Sequence, residues 1–274
     1  STSRHKVKME NLYIIDASGY LYRSYFAIRN MTNGKGESTN ALYGFIRSLL
    51  KLRKDFDVVH CVAVFDGPNN SKAREEIYPA YKAHREKMPP DLRYQIEWAR
   101  KYCELMNFPL LNIPEVEADD VMGSVALWAS SRNTQSILCT SDKDMCQMVN
   151  GNICILNTHK DNLFIHAKEV QEIYGVRPDQ IIDYLAITGD ASDNIPGLSG
   201  FGPKTAASLL QEHGTLEYIL DHPEVVSGKK REVIEKEADK ARVSKKLVTI
   251  NTGVEIPQDP EFYRLKEPET TLLK

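Results

Sequence analysis

The sequence predicts an α/β fold: a mostly parallel central sheet flanked by helices, with a helical arch and a C-terminal helical subdomain. Three observations carry this. Short β-branched runs recur at residues 12–15, 58–65, 109–113, 136–140 and 153–156, each too short for a helix. Between them lie segments of helical period at 41–54, 92–106 and 121–128, and strands alternating with helices build parallel sheets. From about residue 168 the strand signal stops, and Gly175, Pro178, Gly189, Pro196, Gly197, Gly200, Gly202 and Pro203 punctuate a helical region.

In chain order, S-T-S-R-H-K-V-K ahead of Met9 lacks the apolar stretch of a secretory signal. Residues 1–10 therefore read as a leader or expression remnant, with an organellar transit remnant as the minority alternative. Residues 11–167 form the α/β core, whose first helical stripe has apolar residues at 42, 45, 46, 49 and 50. An arch is placed at about 71–107. Residues 168–274 form the helical subdomain, with a helix-hairpin-helix at about 185–213 and a C-terminal return to the core.

Composition narrows the class. With 274 residues, 42% hydrophobic and 27% charged, the chain is long enough to bury a large core and is neither a disulfide miniprotein nor a disordered tail. Five cysteines, an odd count with no C-x-x-C, read as buried free thiols in a reducing compartment. No apolar run approaches the roughly 20 residues that span a bilayer, so no membrane partner is expected. A formal charge of -3, from 35 Lys+Arg against 38 Asp+Glu, does not by itself suggest a polyanionic partner.

The acids have a pattern. Asp16 ends the first run and Asp66 the second; the third leads into Glu117, Asp119 and Asp120, the fourth into Asp142 and Asp144. Loops at the carboxyl ends of parallel strands line the ligand crevice, so these seven converge. Asp190 and Asp193 follow in T-G-D-A-S-D-N. Any one acid is explained by helix capping or a turn. Four consecutive strand ends carrying acids are not, because packed carboxylates repel unless a cation neutralises them. Oxygen-only ligation favours Mg²⁺ or Mn²⁺, and the number of acids favours two or more ions. Two ions about 4 Å apart are the recurrent device for in-line hydrolysis of a phosphodiester.

Two elements suit a polyanion. In Y-P-A-Y-K-A-H-R-E-K, preceded by Arg74, the start of the segment can form a helix with Lys82 and Arg85 on one face. Tyr81 beside them can stack on an unpaired base; a solvated helix face is the bland alternative. In G-L-S-G-F-G-P-K-T, Gly200 and Gly202 permit a tight turn and Lys204 follows near a helix N-terminus that can hold phosphate. The spacing is not that of a Walker A loop. Residues 229–246 mix both charges and read as a solvated helix.

These motifs, with I-I-D-A-S-G-Y-L-Y-R-S-Y-F-A, V-F-D-G-P, V-E-A-D-D-V and T-S-D-K-D-M-C-Q-M-V in order, give a sequence that resembles the 5′ nuclease (5′-3′ exonuclease) domain of bacterial DNA polymerase I, in the flap endonuclease family. The resemblance runs from about residue 12 to 274. It implies Asp16, Asp66, Glu117, Asp119 and Asp120 as ligands of a first metal region, and Asp142, Asp144, Asp190 and Asp193 as ligands of a second. It implies Arg23, Lys82 and Arg85 as active-site cations, Tyr81 as a stacking DNA contact, and Gly200, Gly202 and Lys204 in a duplex-gripping hairpin that also holds K⁺ in relatives; Arg74, from the basic stretch just ahead of Tyr81, is read as a further DNA contact. The implied activity is hydrolysis of DNA at 5′ flaps and frayed 5′ ends, for primer removal and repair, by a monomer, with a polymerase covalently linked in the longer relatives. A non-catalytic branched-DNA-binding module and a metal-dependent ribonuclease are the alternatives. Setting the nine candidate ligands aside leaves 29 acids against 35 Lys+Arg, so the remaining charge is cationic.

Overall fold

The computed structural model describes residues 8–268; most of the expected leader, at 1–7, and residues 269–274 lie outside the described residues. In chain order the elements are β1 (Asn11–Asp16), α1 (Ala17–Ala27), α2 (Asn40–Asp55), β2 (His60–Phe65), α3 (Lys72–Ile77), α4 (Pro90–Leu105), β3 (Leu110–Asn112), α5 (Ala118–Ser131), β4 (Gln135–Cys139), β5 (Ile153–Asn157), β6 (Leu163–Ile165), α6 (Ala167–Tyr174), α7 (Ile181–Thr188), α8 (Pro203–His213), α9 (Leu216–Asp221) and α10 (Lys229–Val248). The strands form one sheet in the order β3-β2-β1-β4-β5-β6. Its first five strands run parallel, and β6 returns antiparallel to β5.

Strands buried on both faces explain the unbroken apolar runs. Ile14, Val62, Val64 and Leu138 face one core, which α5, α7 and the C-terminal helices cover. Ile15, Ala63, Phe65 and Cys139 face the other, against α1, α2 and α4. Cys61, Cys103, Cys139 and Cys146 are buried and all five cysteines are free; burial pushes the Cys61 thiol up, leaving it unreactive.

The strand order reverses between β1 and β4, where an open parallel sheet leaves a crevice at its carboxyl edge. Asp16 ends β1 at this point, and Asp142 follows β4 by a few residues.

Three local readings are corrected. Residues 78–85 form turns rather than a helix: Pro79 disfavours helical backbone at Tyr78, and Lys82 adopts φ 55° so that its N–H can donate to the Asp193 carbonyl at 2.8 Å. The edge strand β6 carries too few residues for a periodic signal. The helix α10 is not simply solvated, since it buries Ile234, Ala241, Ser244, Leu247 and Val248.

Candidate metal centre

A cavity of about 500 Å³ opens at the switch point, lined from α1, the 78–89 segment, α5, the β4 exit and the 193–195 loop. Oxygens of Asp119, Asp142 and Asp144, which line it, lie within 4.8 Å of one another, and so do those of Asp144, Asp190 and Asp193. Asp144 belongs to both triads. Its Oδ1 is buried and has no hydrogen-bond partner among the described residues.

Local structure holds these carboxylates in place. Asp16 caps α1 by accepting from Gly19 N at 2.9 Å and takes the Thr140 hydroxyl at 3.1 Å. A Cβ on Gly19 would lie 2.4 Å from Asp16 Oδ2, so the glycine makes room for the carboxylate. Asp66 accepts from Ala118 N at 2.7 Å, fixing the N-terminus of α5. Asp142 accepts from Asp144 N at 2.9 Å.

The cluster is electrostatically costly as it stands. Burial, then Asp66 and Asp142, raises the Asp16 carboxyl to about 7. Burial, then Asp142, Asp190 and Asp193, raises Asp144 to about 8. Asp119 is also raised, by burial and by Asp142 and Asp16. Crowded oxygens, an orphaned buried Oδ1 and carboxylates held away from their ionised form are what a hard divalent cation relieves. The donor set fits Mg²⁺ or Mn²⁺ and offers no thiol or imidazole to a softer metal.

The other expected site residues divide. Glu117 sits on the cavity wall, accepting from the Tyr81 hydroxyl at 2.9 Å, with Lys82 Nζ at 3.4 Å. Arg85 reaches the cavity and pairs with Asp193 at 2.6 Å. Asp120 joins neither triad: both its oxygens are taken by Arg74, at 2.7 and 2.9 Å, and the Asn251 N–H adds a third bond at 2.9 Å. Arg74, expected to touch DNA, is buried in that pair and also donates to the carbonyls of Leu247 and Thr249. Tyr81, expected to stack on a base, is buried with its hydroxyl on Glu117. Arg23 is exposed and outside the cavity lining, to which α1 contributes Ser18, Gly19, Tyr22 and Phe26.

At the hairpin, α7 and α8 flank a loop in which Gly197 and Gly200 have φ 64° and 78°. A Cβ on Gly197 would lie 2.5 Å from Gly189 N, so the close approach demands glycine. Gly202 has an ordinary φ of -89°; with nothing within 4 Å of a Cβ there, it leaves the N-terminus of α8 uncovered beside the exposed Lys204.

Sequence reasoning missed Tyr22 and Phe26, which line the cavity. Their spacing from Ser18 at i+4 and i+8 in A-S-G-Y-L-Y-R-S-Y-F was the available signal. It also missed the 247–250 segment, for which no local signal exists.

An acidic crevice at the switch point of a parallel sheet, with a glycine-hairpin helical subdomain beside it, defines a metal-dependent nuclease. Family matches agree: residues 11–175 match the 5′-3′ exonuclease N-terminal resolvase-like domain and residues 176–271 its C-terminal SAM fold. The chain belongs to the 5′-3′ exonuclease family. It is 38% identical to a 5′-3′ exonuclease of Aquifex aeolicus, over 97% of this chain and 90% of that protein. It is 37% identical to the thermostable DNA polymerase I of Thermus thermophilus over 93% of this chain, but spans only 30% of that polymerase. The fold is similar to that of the bacteriophage T5 flap endonuclease, solved as a pseudo-enzyme-product complex with DNA and metal ions (TM-score 0.75, 21% identity, 89% of this chain and 90% of that one).

Proposed function

We propose that this chain hydrolyses DNA phosphodiesters at 5′ flaps and frayed 5′ ends, using two or more Mg²⁺ or Mn²⁺ ions, and leaves a 5′-phosphate and a 3′-hydroxyl. The observation that carries it is the pair of carboxylate triads joined at Asp144, whose Oδ1 is buried and unpartnered. Asp119, Asp142 and Asp144 would hold one ion and Asp144, Asp190 and Asp193 another, with Asp16 and Asp66 completing the first region. When bound, such ions lower the pKa of an attacking water and offset charge on the scissile phosphate.

The chain's own residues do the rest. Glu117 steadies the Lys82 ammonium at the cavity wall, from where it can meet a phosphate oxygen. Arg85 adds a second cation once its hold on Asp193 loosens. The N-terminus of α8, with Lys204, offers N–H groups and charge to duplex phosphates. A K⁺ ion at the same turn, a monomeric state and work in the bacterial cytoplasm belong to this reading and rest on the family resemblance. The division at residues 167–168 between nuclease core and DNA-binding subdomain, drawn where the strand signal stops, belongs to the reading as well and lies close to the 175–176 junction of the two family matches.

The test is cleavage of DNA flaps labelled at 5′ and 3′ ends in parallel, with Mg²⁺. Products released from the 5′ side support the proposal. No product above an Asp142→Ala control refutes it, and far faster cutting of single-stranded RNA would replace it with the ribonuclease reading.

A further inference from the structure

The segment that follows α10 lines the metal cavity with Leu247, Val248 and Ile250, and two side chains grip its backbone. Arg74 donates to the carbonyls of Leu247 at 2.8 Å and Thr249 at 3.0 Å. Gln147 takes the alternate groups: its Nε2 donates to the Val248 carbonyl at 2.9 Å, and its Oε1 accepts from Ile250 N at 3.0 Å. The Gln147 amide thus stands where a neighbouring strand would, and with both ends bound its orientation is settled. Further along, Asn251 N donates to Asp120 at 2.9 Å and Val254 N to the Ser124 hydroxyl at 3.1 Å. Ile250 packs so closely on α5 that a Cβ on Gly123 would lie 2.6 Å from its Cγ2. At the other end, Ser244 on α10 accepts from Gly197 N in the hairpin loop at 3.0 Å. The segment is therefore a fixed strap, anchored on α3, on α5 and, through α10, on the hairpin.

What Gln147 itself belongs to is less secure. It lies in a short 3-10 helix, Lys143–Met148, which Asp142 caps. Hydrogen bonds in such a helix are poorly aligned and few, so its placement depends on what it is attached to. Three residues make one turn, which puts Asp144 and Gln147 on the same edge. Asp144 serves both carboxylate triads, and its buried Oδ1 has no partner among the described residues, so its carboxylate takes its position from this backbone. Gln147 is half-buried and outside the cavity lining. It acts on the turn and does not touch an ion.

We infer that Gln147 is a positioning residue for the metal centre: by clamping the helix of Asp144 to the 248–250 strap, it sets the affinity of the site for divalent metal. The inference rests on the proposed metal-dependent reading of the two triads. It gives the strap a part in the site beyond forming its wall, because the strap is the reference against which Asp142 and Asp144 are held.

The test is titration of the DNA-free protein with Mn²⁺, free ion being read by electron paramagnetic resonance, on wild type, Gln147→Met and Ser124→Ala. Methionine keeps the length of the side chain and removes both hydrogen bonds. Gln147→Met should bind Mn²⁺ about tenfold more weakly, the loss typical of a group that orients a ligand, with duplex affinity in EDTA unchanged. Its flap cleavage should fall at low Mn²⁺ and recover at saturating Mn²⁺. Ser124→Ala loosens the same strap on the side of α5, so it should lower the metal-free unfolding midpoint yet keep wild-type Mn²⁺ affinity. Equal Mn²⁺ affinity in Gln147→Met and wild type overturns the inference, and so does an equal loss in Gln147→Met and Ser124→Ala, which would make the effect one of general stability. If the wild type binds no Mn²⁺, the metal reading falls and the inference with it. If it binds Mn²⁺ but cleaves no flap, the nuclease proposal fails while the titration still decides the role of Gln147.

Discussion

Arg74 is where local sequence and structure give opposite forecasts. Read from its basic neighbourhood it touches DNA; in the fold it is one-tenth exposed, forked onto Asp120, and donates to the Leu247 and Thr249 carbonyls. Apart from Arg74, the buried Asp120 carboxylate accepts only the Asn251 N–H. Arg74→Ala therefore removes four hydrogen bonds and strands a buried carboxylate. Breaking a buried pair from one side costs about 3–5 kcal/mol. At about 2–4 °C per kcal/mol for a chain of this size, thermal unfolding should fall by on the order of 10 °C. Arg74→Met with Asp120→Leu should recover most of that, because the pair is replaced rather than broken. The assay is calorimetric or denaturant unfolding of the wild type and these two variants, beside salt-dependent DNA binding. A midpoint unchanged in Arg74→Ala, with a DNA salt slope reduced by about one, would refute the burial argument and restore a phosphate contact.

Other outcomes follow from the site. Gly19→Ala should leave unfolding nearly unchanged but cut Mg²⁺-dependent turnover at least tenfold, because the new Cβ would displace the Asp16 carboxylate; full activity would mean that Asp16 relaxes freely. Since Asp16 and Asp144 are raised to about 7 and about 8, the protonated forms favour folding, and that stability is lost as pH rises through those values. Metal-free protein should accordingly unfold about 3 °C or more higher at pH 6 than at pH 8, Mg²⁺ should stabilise it most at pH 8, and Asp144→Asn should flatten the metal-free slope; a rising metal-free midpoint from pH 6 to 8 would contradict this. Lys82→Ala should lower turnover on a flap more than it lowers duplex affinity, and equal losses would reduce Lys82 to a docking charge. Lys204→Ala should weaken all duplexes alike and reduce the salt slope by about one, whereas an unchanged slope would exclude phosphate contact.

The carboxylates were legible because a polar residue ending a doubly buried strand has few structural uses, and the sheet's carboxyl edge collects them whatever the loops do. Their partners were not legible. Arg74 meets Asp120 across 46 positions and Leu247 across 173, and Arg85 meets Asp193 across 108. No local pattern encodes such pairings, so a basic, aromatic segment reads as outward-facing even where the fold turns Arg74 and Tyr81 inward. The same blindness hid Tyr22 and Phe26, which declare themselves only once the phase of α1 against the acids is known.

The inward cations change how the charge surplus acts. Outside the nine candidate ligands the chain is cationic by formal count, yet Lys82 and Arg85, which line the metal cavity, are already paired with Glu117 and Asp193. Phosphate must therefore compete with the site's own acids for those side chains. Asp193 also belongs to the triad with Asp144 and Asp190, so a divalent ion held there would weaken the Arg85 pair. Binding of metal and of phosphate then share one carboxylate, and each must strengthen the other by the same free energy. On the proposed reading, that linkage would keep the acidic cavity closed to bare DNA until metal is bound.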